Sequence, residues 1–270
     1  MNLVLPNINK IISSILNIES NYISEEIHPS LGYLKQRQTI EECRKSYLKQ
    51  LSKNWKEKPI QIFNIFTMNL LLRAIRGEKG ADIFREMNKE FKTFEDITEN
   101  KANDILKKAK YRWGVKNGTK VILGAKRILF EKYQGMWERY FKEAEKKYRE
   151  NFPDDPFLTI PNVSFKVRDL DLSCFSKLYA ANDLHIVRTL TRTGLLVYGY
   201  GDIDIGTNPG NEKNYIFLRN LIIKLSEKSG YSPAELDRIF WYFGRGVCNA
   251  RPNCSTCPIN NECLTSLGVK

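Results

Sequence analysis

Apolar side chains recur along this chain at spacings of three and four, the period of an α-helix, and form no alternating ladder of the kind a strand needs. Residues 3–23 open the series, with Leu3, Ile8, Ile11, Ile12, Ile15, Leu16 and Ile18 near helical spacing. A second helix is predicted from Thr39, where Glu41 and Glu42 occupy the first turn and favour the positive end of the helix dipole. The third, PIQIFNIFTMNLLLRAI from Pro59, is apolar almost all round and is expected to be buried. Arg76, Gly77, Lys79 and Gly80 read as its end. Two shorter amphipathic helices, ADIFREMNKEF and TENKANDILKKA, precede a turn at YRWGVKNG. A long basic helical region is then predicted over 119–151.

The stretch NFPDDPFLTIPNVS breaks that period, because proline removes a backbone donor and clashes with the preceding helical turn. It leads into a tight turn at Pro161–Asn162. Helices are predicted from Phe165 to Tyr179 and from near Asp183 to Thr193, with Gly194 as the C-cap of the second. The glycine- and asparagine-rich segment YGYGDIDIGTNPGNEKN reads as a loop. Two last helices follow, YIFLRNLIIKLSEKSG and SPAELDRIFWYFGRGV. In the latter, Ser232 is the predicted N-cap, Pro233 the first helical residue and Glu235 the reciprocal partner of a capping box.

A chain of 270 residues accommodates one large domain or two small ones. Hydrophobic residues make up 42% and charged residues 27%, which supports a globular core and excludes a disordered chain. No apolar run spans a bilayer, and the N-terminus lacks a basic leader and a small-residue cleavage site, so a cytoplasmic protein is expected. The net charge of +12, from 43 Lys and Arg against 31 Asp and Glu, favours a polyanionic partner, nucleic acid before a membrane surface.

Four of the six cysteines crowd the C-terminus as Cys248, Cys254, Cys257 and Cys263, spaced C-x5-C-x2-C-x5-C; Cys43 and Cys174 stand alone. A secreted disulfide scaffold would spread its cysteines, so the cluster reads as a metal site. Four thiolates hold either tetrahedral zinc or an iron–sulfur cluster. A zinc ribbon normally has two close pairs. Here one close pair is flanked by five-residue loops, which favours the wider [4Fe–4S] cubane.

The stretch FWYFGRGVCNARPNCSTCPINNEC resembles the cluster loop of the endonuclease III and adenine-glycosylase families, in the helix-hairpin-helix (HhH-GPD) superfamily of DNA glycosylases. Those families space the ligands C-x6-C-x2-C-x5-C; this chain keeps Arg251 and Pro252 in the first loop and is one residue shorter. Upstream, IPNVSFKVRDLDLSCFSKLYAANDLHIVR is similar to the superfamily's hairpin and catalytic-acid segment. Ile160, Pro161 and Val163 fit the hairpin frame, and His185 and Arg188 fit the residues after the acid. The resemblance implies that Lys166 is the nucleophile of a bifunctional enzyme, that Asp183 is the catalytic aspartate, and that the cluster is structural. It implies DNA-backbone contacts from Arg245 and Arg251, and from the hairpin turn at Asn162 and Ser164, with a monovalent cation there in some members. Asn162 and Ser164 replace the two usual glycines; asparagine tolerates a left-handed backbone and serine is small. His185 reads as a structural hydrogen-bonding residue rather than a base.

What the resemblance implies as a whole is an all-α, two-lobed glycosylase fold with a C-terminal iron–sulfur loop. Residues 59–175 would form a helical-barrel lobe that includes the hairpin. Residues 1–58 and 176–270 would form the cluster lobe, with the active site in the cleft between. The expected partner is double-stranded DNA, met by a monomer in base excision repair, at the nucleoid in a prokaryote. The enzyme would flip a damaged or modified base, a pyrimidine by preference, excise it and nick the strand by β-elimination. Other readings are a monofunctional glycosylase for a mismatch or purine lesion, a non-catalytic iron–sulfur DNA-binding protein, and a zinc-stabilised nucleic-acid protein. Ala74 or Ile75 stands where the endonuclease III family tends to carry a glutamine.

Overall fold

The computed structural model describes residues 7–19, 38–72, 77–150, 152–196 and 211–267. Among them are eleven α-helices, two short 3-10 turns and one isolated bridge between Glu19 and Thr39. None of these helices is long and apolar enough to cross a membrane. The described residues divide into two units. One contains residues 7–19, 38–49, 177–196 and 211–267; the other contains 50–72, 77–150 and 152–176. Residues 50–58 therefore group with the second unit and not with the C-terminal segment. The reason is local: Asn54 donates to the Cys174 carbonyl (2.9 Å), and the Trp55 indole donates to that of Phe175 (2.5 Å).

The first unit is built from α1 (Ile8–Leu16), the start of α2 (Ile40–Asn54), α9 (Leu184–Thr193), α10 (Glu212–Ser229) and α11 (Pro233–Gly246). Asn7 starts α1 by accepting from the N–H groups of Asn9 and Lys10. The helix ends at Leu16 with Asn17 as its cap; Leu3 and residues 20–23 of the predicted element lie outside the described residues. Ile8, Ile11, Ile12 and Ile15 form one buried stripe, and α1 packs on α10 and α11. At the start of α11 the capping box forms as predicted, Ser232 and Glu235 bonding each other's N–H groups. Arg44 of α2 adds ion pairs to Glu235 (2.5 Å) and Glu41 (2.7 Å). Gly194 ends α9 in the left-handed conformation (φ 81°), as its position predicted.

The second unit contains α3 (Pro59–Leu71), α4 (Gly77–Glu90), α5 (Glu99–Lys108), α6 (Val115–Tyr133), α7 (Trp137–Glu150), a 3-10 turn (Pro156–Thr159) and α8 (Phe165–Leu172). Every residue of α3 from 62 to 71 is buried, as its all-round apolar pattern required. Phe66 packs against Trp137, Tyr140, Phe141 and Phe157. At about 1.5–3 kcal/mol per buried large apolar side chain, this aromatic cluster is enough to fix α7 on α3.

Several expectations are corrected. Gly77, Lys79 and Gly80 do not terminate a helix but lie inside α4. A Cβ on Gly80 would collide with Leu72, so this glycine lets α4 approach the end of α3. Val115, Lys116, Asn117 and Gly118, read as turn, form the first turn of α6. The long helical region then breaks at Gln134 (φ 55°) and Gly135 (φ 78°), separating α6 from α7. α8 ends at Leu172 rather than Tyr179. Beyond it, the Cys174 and Phe175 carbonyls are taken by the Asn54 and Trp55 side chains, which competes with further helix. Of the loop predicted at 198–214, residues 198–210 lie outside the described residues, as do Ala74 and Ile75, while Glu212, Lys213 and Asn214 are not loop but the first turn of α10, capped by Asn211.

Candidate functional site

In the second unit, the predicted hairpin is a tight turn. The Val163 N–H donates to the Ile160 carbonyl (3.1 Å), and Asn162 takes the left-handed conformation at φ 72°. Asparagine stands there because its short polar side chain tolerates that backbone better than most residues. Ile160 and Val163 point into the core, while Pro161, Asn162 and Ser164 are exposed. Ser164 is the N-cap of α8 in an extended conformation, and its hydroxyl makes no cap hydrogen bond. Lys166 follows in the first turn, half-buried.

Beneath that turn lies an ion network that sequence reasoning did not find. Arg168 is buried and pairs with Asp169 (2.6 Å) and Asp155 (3.6 Å). Its guanidinium also lies over the rings of Phe152 (4.8 Å) and Phe165 (5.7 Å). Asp155 caps the 3-10 turn through the Phe157 N–H (2.8 Å) and accepts from the Tyr140 hydroxyl (3.2 Å). Burial pushes the Asp155 carboxyl up, against the pull of Arg168. Asp171, also buried and bonded through one oxygen to Asn69 (3.4 Å), is pushed well above the usual carboxylate range by burial. Two carboxyls, Asp155 and Asp169, share the Arg168 guanidinium, while Asp171 is bonded to Asn69 and keeps a high proton affinity through burial.

In the first unit, Asp183 is the N-cap of α9, as the sequence suggested. Its Oδ1 accepts from the N–H groups of His185 (2.8 Å) and Ile186 (3.3 Å). Its Oδ2 accepts from the Trp241 indole N–H at 3.2 Å, a bond across 58 residues of chain that the sequence did not reveal. The preceding turn is held from two helices. Asn182 takes the left-handed conformation (φ 47°), and its N–H donates to Asp237 of α11 (3.2 Å). The Tyr215 hydroxyl of α10 donates to the carbonyls of Ala180 (3.2 Å) and Ala181 (3.3 Å). Asp237 is fully buried and raised to about 6, by burial first and by the Asp183 charge as a further cause. Burial pushes the His185 imidazole down despite the Asp183 carboxylate beside it, consistent with a structural histidine. Arg188 is buried on α9.

One stripe of α11 does this work. Asp237, Trp241 and Gly244 recur at spacings of four and three, and Cys248 follows four residues later. A Cβ on Gly244 would stand 2.6 Å from the Thr189 Oγ1 and 2.7 Å from the His185 carbonyl, so glycine lets α9 and α11 approach closely. Arg245 lies with its guanidinium 4.9 Å from the centre of the Trp241 ring.

All four clustered cysteines, Cys248, Cys254, Cys257 and Cys263, line one small cavity closed by Phe243, Val247, Pro252 and Ile259. Cys248 and Cys263 are buried, the other two half-exposed, and none is in a disulfide. Arg192 of α9 braces the first loop, donating to the carbonyls of Asn249 (2.6 Å) and Cys248 (3.2 Å) and lying 3.6 Å from the Cys248 Sγ. Burial pushes the Cys248 and Cys257 thiols up. Four sulfur donors thus line one small apolar cavity with a cationic donor beside them. Among the described residues, no three or more His, Cys, Asp or Glu side chains are arranged to hold a metal ion. Arg251 is exposed at the tip of this loop, its N–H donating to Asn249 (2.9 Å).

No family profile and no curated protein matches the sequence. Among solved structures, the chain is similar to an 8-oxoguanine glycosylase/lyase of Methanocaldococcus jannaschii, in complex with a 15-mer DNA containing 8-oxoguanine. The identity is 16% and the TM-score 0.56, over 87% of this chain and 96% of that one. At that identity the likeness shows the fold, and the chain is built on the all-α fold of this DNA glycosylase/lyase.

Proposed function

We propose that this protein is a DNA glycosylase with β-elimination lyase activity, acting on a flipped damaged or modified base in duplex DNA. The observation that carries the proposal is Asp183, an ionisable carboxyl held by two helix N–H groups and an indole at the start of α9, in a chain with a glycosylase/lyase fold. As the N-glycosidic bond breaks, the sugar gains oxocarbenium character, and the Asp183 carboxylate stabilises that charge. Lys166 attacks as the free amine. Its nitrogen bonds C1′, the electrons of the broken bond leave with the base, and sugar-ring opening yields a Schiff base. Loss of a C2′ proton then expels the 3′-phosphate.

The net charge of +12 supplies sequence-independent attraction to phosphate. Asn162 and Ser164 at the exposed start of α8, and Arg245 and Arg251 near the cysteine cavity, are the proposed backbone contacts. The hairpin turn is also the proposed place for a monovalent cation. Cys248, Cys254, Cys257 and Cys263 would hold a [4Fe–4S] cluster, whose contribution is to staple the C-terminal loop rather than to react. A purine lesion stands beside the pyrimidine reading, because the similar archaeal enzyme is named for 8-oxoguanine.

The test is an excision screen over duplexes carrying 8-oxoguanine, thymine glycol, uracil or an abasic site, with borohydride added. A covalent adduct is expected, lost in Lys166→Gln; an adduct that persists removes the lysine from that role. Asp183→Asn should slow excision by about 100-fold or more while DNA binding is kept. Binding without action on any of these duplexes would favour the non-catalytic reading. A brown preparation with broad visible absorbance is expected; a colourless protein with bound zinc would overturn the cluster.

A further inference from the structure

The Asp183 carboxylate is not held by its own helix alone. A helix N-cap engages a side-chain oxygen with the N–H groups of the first turn, and Oδ1 does this with His185 and Ile186. Those bonds fix one oxygen and leave the tilt of the carboxylate plane to be set by whatever meets the other. Oδ2 is tied to the Trp241 indole N–H at 3.2 Å, from a different helix. Indole nitrogen donates and cannot accept, so the bond fits the oxygen of a carboxylate and would repel the amide N–H of an asparagine.

The indole is itself fixed. The Arg245 guanidinium lies 4.9 Å from the centre of its ring, the Tyr242 ring meets it edge-on at 5.1 Å, and the His185 ring meets it edge-on at 6.1 Å. Two turns of α11 around it are seated against α9, with Asp237 on the Asn182 N–H and Gly244 against the His185 carbonyl. The charged and titratable groups around the pair are His185 and Arg188 on α9, and Asp237, Arg238 and Arg245 on α11.

We propose that Trp241 is a positioning residue for the reaction: it sets the plane of the Asp183 carboxylate and holds Oδ2 ready to face a developing cation. The inference rests on the role given to Asp183 above. A carboxylate free to rotate would have to be ordered during the reaction, whereas one clamped at both oxygens is ordered beforehand.

The test uses the full chain and Trp241→Phe, which keeps an aromatic ring and removes the N–H. Under single-turnover conditions, on whichever duplex of the panel the wild type acts, excision should slow by about 10- to 100-fold, the scale of one hydrogen bond to a charged group. The dissociation constant for DNA should stay at the wild-type value, and the rate is compared per folded molecule. A merely structural tryptophan would move stability and leave the rate per folded molecule unchanged, and that result overturns the proposal.

A second readout needs no activity. The four tryptophans, at 55, 113, 137 and 241, give four indole N–H resonances, and Trp241→Phe identifies one of them by its loss. That resonance should shift in Asp183→Asn while those of Trp55, Trp113 and Trp137 stay; an unmoved resonance overturns the proposal. A wild type that acts on no duplex overturns the glycosylase reading, and the indole signal still decides whether the bond exists.

Discussion

The turn that ends at Asp183 and the turn that leads into the helix of Lys166 are both short, both precede a helix, and both contain an asparagine in the left-handed conformation. They are held by different physics. The aspartate turn is clamped by directed hydrogen bonds that end on the side chain itself: two N–H groups and an indole. The lysine turn is held from below by a buried ion network centred on Arg168, whose bonds join Arg168 to Asp155 and Asp169, and Asp155 to the Tyr140 hydroxyl and the Phe157 N–H. Donors around a carboxylate fix where its charge sits. A buried ion cluster fixes where a backbone sits and leaves the side chain above it to be placed by other contacts. Substitutions around Asp183 should therefore register in chemistry, and substitutions beneath Lys166 in stability.

The strongest way to break that contrast is Arg168→Met. It leaves Asp155 and Asp169 buried without their cation, and loss of one partner of a buried pair costs about 3–5 kcal/mol. Denaturant unfolding should show a loss of that size; a midpoint near the wild-type value would mean that the network does not hold the turn. Next comes Asp237, raised from 3.8 to about 6 in the folded protein. The folded state binds this proton more tightly than the unfolded chain. Its contribution to stability is thus fully present below pH 3.8 and is lost as pH rises through about 6. The stability difference between wild type and Asp237→Asn should accordingly change by roughly 3 kcal/mol across that window, followed by thermal melts at stepped pH. A constant difference would show that Asp237 is not the buried acid described.

Smallest is Gly244→Ala, whose methyl must displace the Thr189 hydroxyl and the His185 carbonyl. Overpacking of this kind costs about 1–3 kcal/mol. Because His185 donates to Asp183, the variant should also lose excision activity beyond its loss of stability. If only stability falls, the α9–α11 contact is a packing feature and does not set the acid.

The chain by itself determined the features that need only near neighbours. Capping at Ser232 and Glu235, the glycine at the end of α9 and the aspartate at its start are written within a few residues, because a helix end is satisfied locally. The turn at Pro161–Asn162 and the burial of α3 were equally legible, the latter because no face of that helix is polar. The cysteine spacing is local in the same way, and what the structure adds is that all four line one cavity.

Tertiary structure alone decided what depends on partners far along the chain. Trp241 and Asp183 are 58 residues apart, and Asn182 and Asp237 are 55 apart; nothing local marks either pair. Gly80 and Gly118 looked like punctuation and proved helical, Gly80 as a contact point, because a missing side chain permits either a turn or a close approach. Asp155, Asp169 and Asp171 carry no local mark of burial, yet all three are buried: Asp155 meets Arg168 and Tyr140, Asp169 meets Arg168, and Asp171 meets Asn69. Local stereochemistry is encoded where it occurs. The strength of a charge or a donor is set by what surrounds it, and that is assembled only when distant segments meet.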